Sequence, residues 1–201
     1  MKRFFLFTVL AGITALLAML YCYHYYQFWT HIKTDQCNSL AEYEGSNIRG
    51  FRGRQILVNK GFLNEMNTLN QYAADNDLTL IVNQGYRYQD PKGPGNVVDP
   101  VDNSNHKAGY AIDFNILHNG KKYLANNLKR QKLSKLPRNI QAFIQQVRKH
   151  HTLRWGGDFN RQDPVHIDLP VNTLHRHHWA EQKEICLNDY RSAGKKWQFW
   201  Q

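Results

Sequence analysis

Acidic side chains are scarce in this 201-residue chain: 16 Asp and Glu stand against 26 Lys and Arg, giving a net charge of +10. That balance points to an anionic partner, and nucleic acid, an anionic membrane surface and an acidic wall polymer all qualify. Cysteine is sparse as well, with three residues, which excludes a disulfide-dense scaffold. No internal repeat or low-complexity tract occurs, so a repeat array is excluded. What is present suffices for a folded domain: 42% hydrophobic and 13% aromatic residues, in a chain long enough for one core plus an extension.

Charge is missing altogether from Phe4 to Tyr23, directly after Lys2 and Arg3. These roughly 20 residues, at about 1.5 Å each, match a hydrocarbon core of about 30 Å. Tyr21, Tyr23, Tyr25, Tyr26 and Trp29 follow like an interfacial aromatic belt. A cleaved signal peptide would show a shorter run and an A-x-A-like exit, and neither is found. Leu20 and Tyr21 are too bulky for a lipoprotein cleavage site before Cys22. Residues 1–26 are therefore expected to be an uncleaved, single-pass anchor in a bacterial cytoplasmic membrane. The basic N-terminus favours the cytoplasmic side for that end, with Lys33 on the other flank opposing it; the domain would then lie on the periplasmic or outer side. An oxidising compartment permits a Cys37–Cys186 bridge, with two free thiols as the alternative.

Residues 27–55 are polar and glycine-dotted and read as a stalk, leaving 56–201 as the domain. From Ile56 the apolar spacing is helical through Val58, Phe62, Met66, Leu69 and Ala73. "LTLIV" (78–82) reads as a buried strand, 89–105 as a Pro- and Gly-rich loop, and "YAIDFNI" (110–116) as an alternating strand. Ile140, Phe143, Ile144 and Val147 recur at helical spacing. Short strands are expected near "LRW" and "VHIDL", and a last helix over 172–191. Helices grouped around separated short strands indicate an α+β fold.

Several side chains could do chemistry. His106 and Asp113 stand seven apart in "SNHKAGYAID"; a lone His is ordinarily a loop residue, but a carboxylate within an apolar strand is costly unless it is paired or bound to a cation. In "DPVHID", Asp163 precedes His166 by three, which fits a hydrogen-bonded turn or a metal ligand beside a carboxylate. Arg87 follows a strand in "QGYRYQD". Singly each has a structural explanation. Together they supply two imidazoles, a carboxylate ligand, a spare carboxylate and a fixed cation, a common donor set for catalytic zinc. The spare carboxylate could accept a proton from activated water, and the arginine could anchor a carboxylate or steady an oxyanion. His150, His151 and the "HRHH" run (175–178) read as solvated basic faces.

"SNHKAGYAID" fits the S-x-H-x-x-G-x-A-x-D pattern of VanY-like zinc peptidases, the group that includes D-Ala-D-Ala peptidases and L-Ala-D-Glu endopeptidases and shares the hedgehog-type fold. "WGGDFNRQDPVHID" (155–168) resembles that family's second signature and "GYR" (85–87) its arginine element. The resemblance implies a hedgehog/DD-peptidase-like domain, a small antiparallel sheet with flanking helices, which would follow the one N-terminal transmembrane helix expected above. It implies one zinc ion held by His106, Asp113 and His166, with Asp163 as general base and Arg87 stabilising the transition state. Ser104 would support the site, and Tyr86 and Trp155 would contact substrate or the ligands' surroundings; Asp158, whose neighbours build a tight turn, reads as either structural or such a contact. Gln84, Val165, Ile167 and Asp168 depart from the family pattern, Asp168 replacing a Glu, and none of them is expected to touch a ligand. The implied activity is a peptidoglycan stem-peptide peptidase. The W-G-G-D form favours L-Ala-D-Glu endopeptidase cleavage, with D,D-carboxypeptidase as the alternative and a non-catalytic zinc binding module as a further one. Nucleic acid is not expected as a partner, since it leaves both aspartates unexplained; an envelope-machine partner is left open.

Overall fold

The computed structural model describes residues 2–26, 29–89 and 102–198, with side chains described for 7–20, 31–89 and 102–195. The chain divides into two units, Met1–Ile32 with Lys195–Gln201, and Lys33–Gly194. In the first, α1 (Lys2–Tyr26) is followed by β1 (Trp29–Ile32), which pairs antiparallel with β10 (Lys195–Gln198). The anchor expected over residues 1–26 extends beyond the described side chains at both ends. Residues 7–20 amount to about 21 Å of helix, and among the described residues no helix is long and apolar enough to cross a membrane.

The second unit carries β2 (Leu40–Glu42), β3 (Ile48–Gly50), β4 (Leu57–Asn59), α2 (Leu63–Asp75), β5 (Thr79–Gln84) and β6 (Ala111–His118). These are followed by β7 (Lys121–Tyr123), α3 (Arg138–Lys149), β8 (Arg154–Trp155), β9 (His166–Asp168), α4 (Val171–Leu174) and α5 (Arg176–Ser192). The main sheet runs β3-β5-β6-β9-β8, with β7 also pairing β6, while β2 and β4 form a separate ribbon. The sheet is antiparallel except at β3–β5, which is parallel. The α+β reading holds.

Alternation along the strands separates two faces. Ile112, Phe114 and Ile116 of β6, Ile167 of β9 and Trp155 of β8 enter the core. There they meet Met66, Leu69 and Ala73 of α2 and Ile140, Phe143, Ile144 and Val147 of α3. Phe114 and Phe143 meet edge to face, 6.2 Å between centroids; each such buried side chain contributes about 1.5–3 kcal/mol. The opposite face of the same strands carries Asp113, His166, Asp168 and Arg154. One face therefore supplies the core and the other the polar site.

Three expectations need correction. Within the supposed stalk, β3 is a sheet strand, and Leu40, Tyr43 and Ile48 are buried, so the compact unit reaches back to Lys33. The helix expected from Ile56 begins at Leu63, because residues 57–59 pair with β2 instead. The expected bridge is absent: Cys37 and Cys186 are free, buried thiols. Each has its own partner, Cys37 Sγ donating to Lys33 O at 3.7 Å and Cys186 Sγ to Ala108 O at 3.6 Å.

Candidate metal centre

Register explains how residues distant in sequence meet. In the β6–β9 ladder Asp113 lies directly opposite His166, and such cross-strand neighbours touch on one face. His106 arrives from a single 3-10 turn, Asn105–Ala108, ended by Gly109 at φ 75°. A Cβ at Gly109 would lie 2.6 Å from the Asn59 backbone nitrogen. The left-handed conformation and this close approach both require glycine, so the small residues of "SNHKAGYAID" bend the His106 turn into β6.

The three side chains converge. His106 Nε2 is 3.2 Å from Asp113 Oδ1 and 3.2 Å from His166 Nδ1, and His166 Nδ1 is 3.0 Å from the same Asp113 oxygen. These are the three described residues able to share one metal ion. The outer nitrogens are also engaged: His106 Nδ1 lies 2.8 Å from Gly85 O and His166 Nε2 3.5 Å from Asp168 Oδ2. A proton on each outer nitrogen leaves both inner nitrogens as lone-pair donors, the form that ligates metal. His106 is almost completely buried, whereas the Asp113 side chain keeps 25% of its surface open. The donor set is thus reachable from one side. Two imidazoles and one carboxylate with an open approach fit a catalytic zinc ion.

Charge in this cluster is strongly coupled. Burial alone would raise Asp113, but the charges and hydrogen bonds of His106 and His166 outweigh it and hold the carboxyl well below the usual range. Burial would lower His166, yet its hydrogen bonds to Asp113 and Asp168 and their charges push it up to about 10. Asp163 behaves oppositely: burial, then the charge of Asp113, raises it, while His166, His106 and Arg87 pull it down. Asp163 adjoins the trio through its backbone, its carbonyl accepting from His166 N at 3.0 Å. Its Oδ1 is buried without a hydrogen-bond partner, an acceptor left unused by the protein.

The turn bearing Asp163 is pinned from both ends. Its amide donates to Gly156 O at 2.8 Å and its carbonyl accepts from His166 N at 3.0 Å. A Cβ at Gly156 would sit 2.3 Å from the Asp163 carbonyl oxygen. Trp155, itself buried, donates Nε1–H to Pro164 O at 2.9 Å and so supports the same turn from the core. Ser104 Oγ accepts from Arg87 Nη2 at 3.1 Å, and the Arg87 amide donates to His106 O, tying the arginine to the first histidine's segment.

Two expected contacts lie elsewhere. Asp158 pairs through both carboxylate oxygens with Arg148 of α3 on the surface, the structural one of its two readings. Tyr86 is buried against Tyr190, 5.8 Å between centroids. Conversely, Asp168 does approach a ligand, contrary to the sequence expectation, because it shares with His166 the polar face of β9. His175, His177 and His178 are exposed, as expected of a solvated face.

A family model described as D-alanyl-D-alanine carboxypeptidase matches residues 99–169, about a third of the chain, including all three converging residues and Asp163. Over those residues the resemblance to the VanY-like zinc peptidases is borne out. No curated protein matches the chain.

Proposed function

From a VanY-like zinc-peptidase segment at residues 99–169, we propose that this protein is a zinc-dependent peptidase of peptidoglycan stem peptides. The observation that carries the reading is the convergence of His106 Nε2, Asp113 Oδ1 and His166 Nδ1 within 3.2 Å. These three residues would hold a zinc ion, which would supply Lewis acidity toward a carbonyl and an attacking water. Asp163, with its free buried oxygen, accepts the water's proton and returns it to the leaving amine. Arg87, steadied by Ser104, binds a substrate carboxylate or the oxyanion that develops from the scissile carbonyl. Trp155 holds the Asp163 turn in place.

The bond cut is that between L-Ala and D-Glu, on the strength of the W-G-G-D form at 155–158. The description of the matching family favours a second reading, removal of the terminal D-Ala. Purified full-length protein incubated with zinc and muropeptides separates the two by mass spectrometry: a cut after L-Ala supports the first, loss of D-Ala alone the second. Intact muropeptides with zinc bound would overturn the enzyme reading and favour a zinc binding module.

The N-terminal helix anchors this domain at the outer face of the bacterial cytoplasmic membrane. Supporting it are the uncharged run from Phe4 to Tyr23 and the exposure of every described side chain from Phe7 to Leu20, Phe7 at 80%. Carbonate washing of membranes tests this: an anchored protein stays in the pellet, and release into the wash refutes the anchor.

A further inference from the structure

Asp168 stands opposite Arg154 in the β8–β9 ladder. Arg154 donates to it through both arms of its fork, Nε to Oδ1 at 2.9 Å and Nη2 to Oδ2 at 2.7 Å. Asn105, the residue before His106, donates Nδ2 to the same Oδ2 at 2.7 Å. Asn172, at the start of the C-terminal helices, closes the cluster by accepting from Asn105 Nδ2 at 3.0 Å and donating its amide to Asn105 Oδ1 at 3.1 Å. One carboxylate, 3% exposed, thus gathers the segments that bear both histidines. Its Oδ2 lies 3.5 Å from His166 Nε2, so it acts on the ring through a long hydrogen bond and through its charge.

We propose that Asp168 is the positioning residue of the metal site. Anchored by Arg154 and Asn105, its carboxylate keeps the His166 proton on Nε2 and turns the Nδ1 lone pair toward Asp113 and His106. Without a negative group there, His166 is free to protonate Nδ1 instead, and that tautomer offers no electron pair to a metal. Through Asn105 the same carboxylate also fixes the turn that carries His106. Asp168 touches neither substrate nor the reacting atoms; it acts through the ligands. The inference rests on the zinc-peptidase reading.

The test is the zinc affinity of the full-length protein, by competition with a chromophoric chelator, alongside the melting temperature in excess chelator. Asp168→Asn should weaken zinc binding roughly 10- to 100-fold, the usual cost of losing a carboxylate behind a ligating histidine. It also strands the Arg154 charge, so its chelated form should melt lower. Arg154→Gln combined with Asp168→Asn removes that stranded charge. The pair should recover the melting temperature of the chelated protein but not the zinc affinity. Arg154→Gln alone, on a more exposed side chain, should weaken zinc binding toward the low end of that range. Recovery of wild-type affinity by the double variant would reduce Asp168 to a structural ion pair and overturn the proposal. So would wild-type affinity in both single variants. Failure of the wild-type chain itself to bind about one zinc would overturn the peptidase reading instead.

Discussion

Two aspartates of this domain are buried to nearly the same degree, Asp168 at 3% and Asp189 at 4% exposure, yet they do opposite work. Asp168 meets a guanidinium, an amide side chain and an imidazole, all adjoining the converging ligands. Asp189, on α5, is held among the described residues by backbone donors: the amides of Asn38, Ser39 and Leu40 donate to it at 2.9, 2.7 and 2.9 Å. The second carboxylate fastens the C-terminal helix to the start of the compact unit. Burial of an acid is therefore no mark of a functional site; the identity of its partners is. A carboxylate serving amides organises the chain, and one serving imidazoles organises chemistry.

The contrast can be tested most severely at Asp163, whose Oδ1 is buried without a hydrogen-bond partner. Asp163→Asn should lower peptidase activity about 10²- to 10⁴-fold, the range expected for a general base, with zinc stoichiometry and melting temperature unchanged. Activity close to wild type in zinc-loaded protein would remove Asp163 from the site-serving class. Asp189→Ala should do the reverse. It leaves three backbone N–H groups without an acceptor, at about 1–3 kcal/mol each when buried, so denaturant unfolding should show a loss of about 3 kcal/mol or more. Zinc affinity of the folded fraction should not move; a parallel loss of affinity would break the distinction. The smallest effect concerns pH. Burial, with the charge of Asp113 behind it, raises Asp163 above the ordinary carboxylate value, and a base must be ionised to work. Activity should therefore rise with pH along an acid limb set above the normal aspartate range of about 3.9, and Asp163→Asn should abolish that limb.

The site was legible in the sequence to the extent that its residues come as short, spaced motifs. His106, Asp113, Asp163 and His166 could be read because a turn-to-strand pattern and a D-x-x-H spacing bring each pair together locally. Asp168 was read as a mere departure, since nothing in the sequence shows that Arg154, fourteen positions earlier, becomes its partner across a ladder of two residue pairs. Asp158 could be read only as structural or as a contact of the site, because its partner Arg148 sits on a helix that the motif does not include. For the fold, long periodic segments such as α3 were clear. The strands β2 and β3 were not, because three residues are too few to display a period of two. Val58, Phe62, Met66, Leu69 and Ala73 kept helical spacing although Val58 is in a strand, so the start of α2 was placed too early.

The two buried thiols give this domain a clock. Burial first, with nearby negative charge adding to it, raises Cys37, and Cys186 is pushed up to about 12. Thiolate, the form that alkylating reagents attack, is thus suppressed while the chain is folded. Cys37 lies at the amino-terminal edge of the compact unit and Cys186 on α5, the two elements that Asp189 fastens. With Cys22 replaced by serine, the rate at which iodoacetamide labels these sulfurs would record how often that seam comes apart, without the protein ever being denatured.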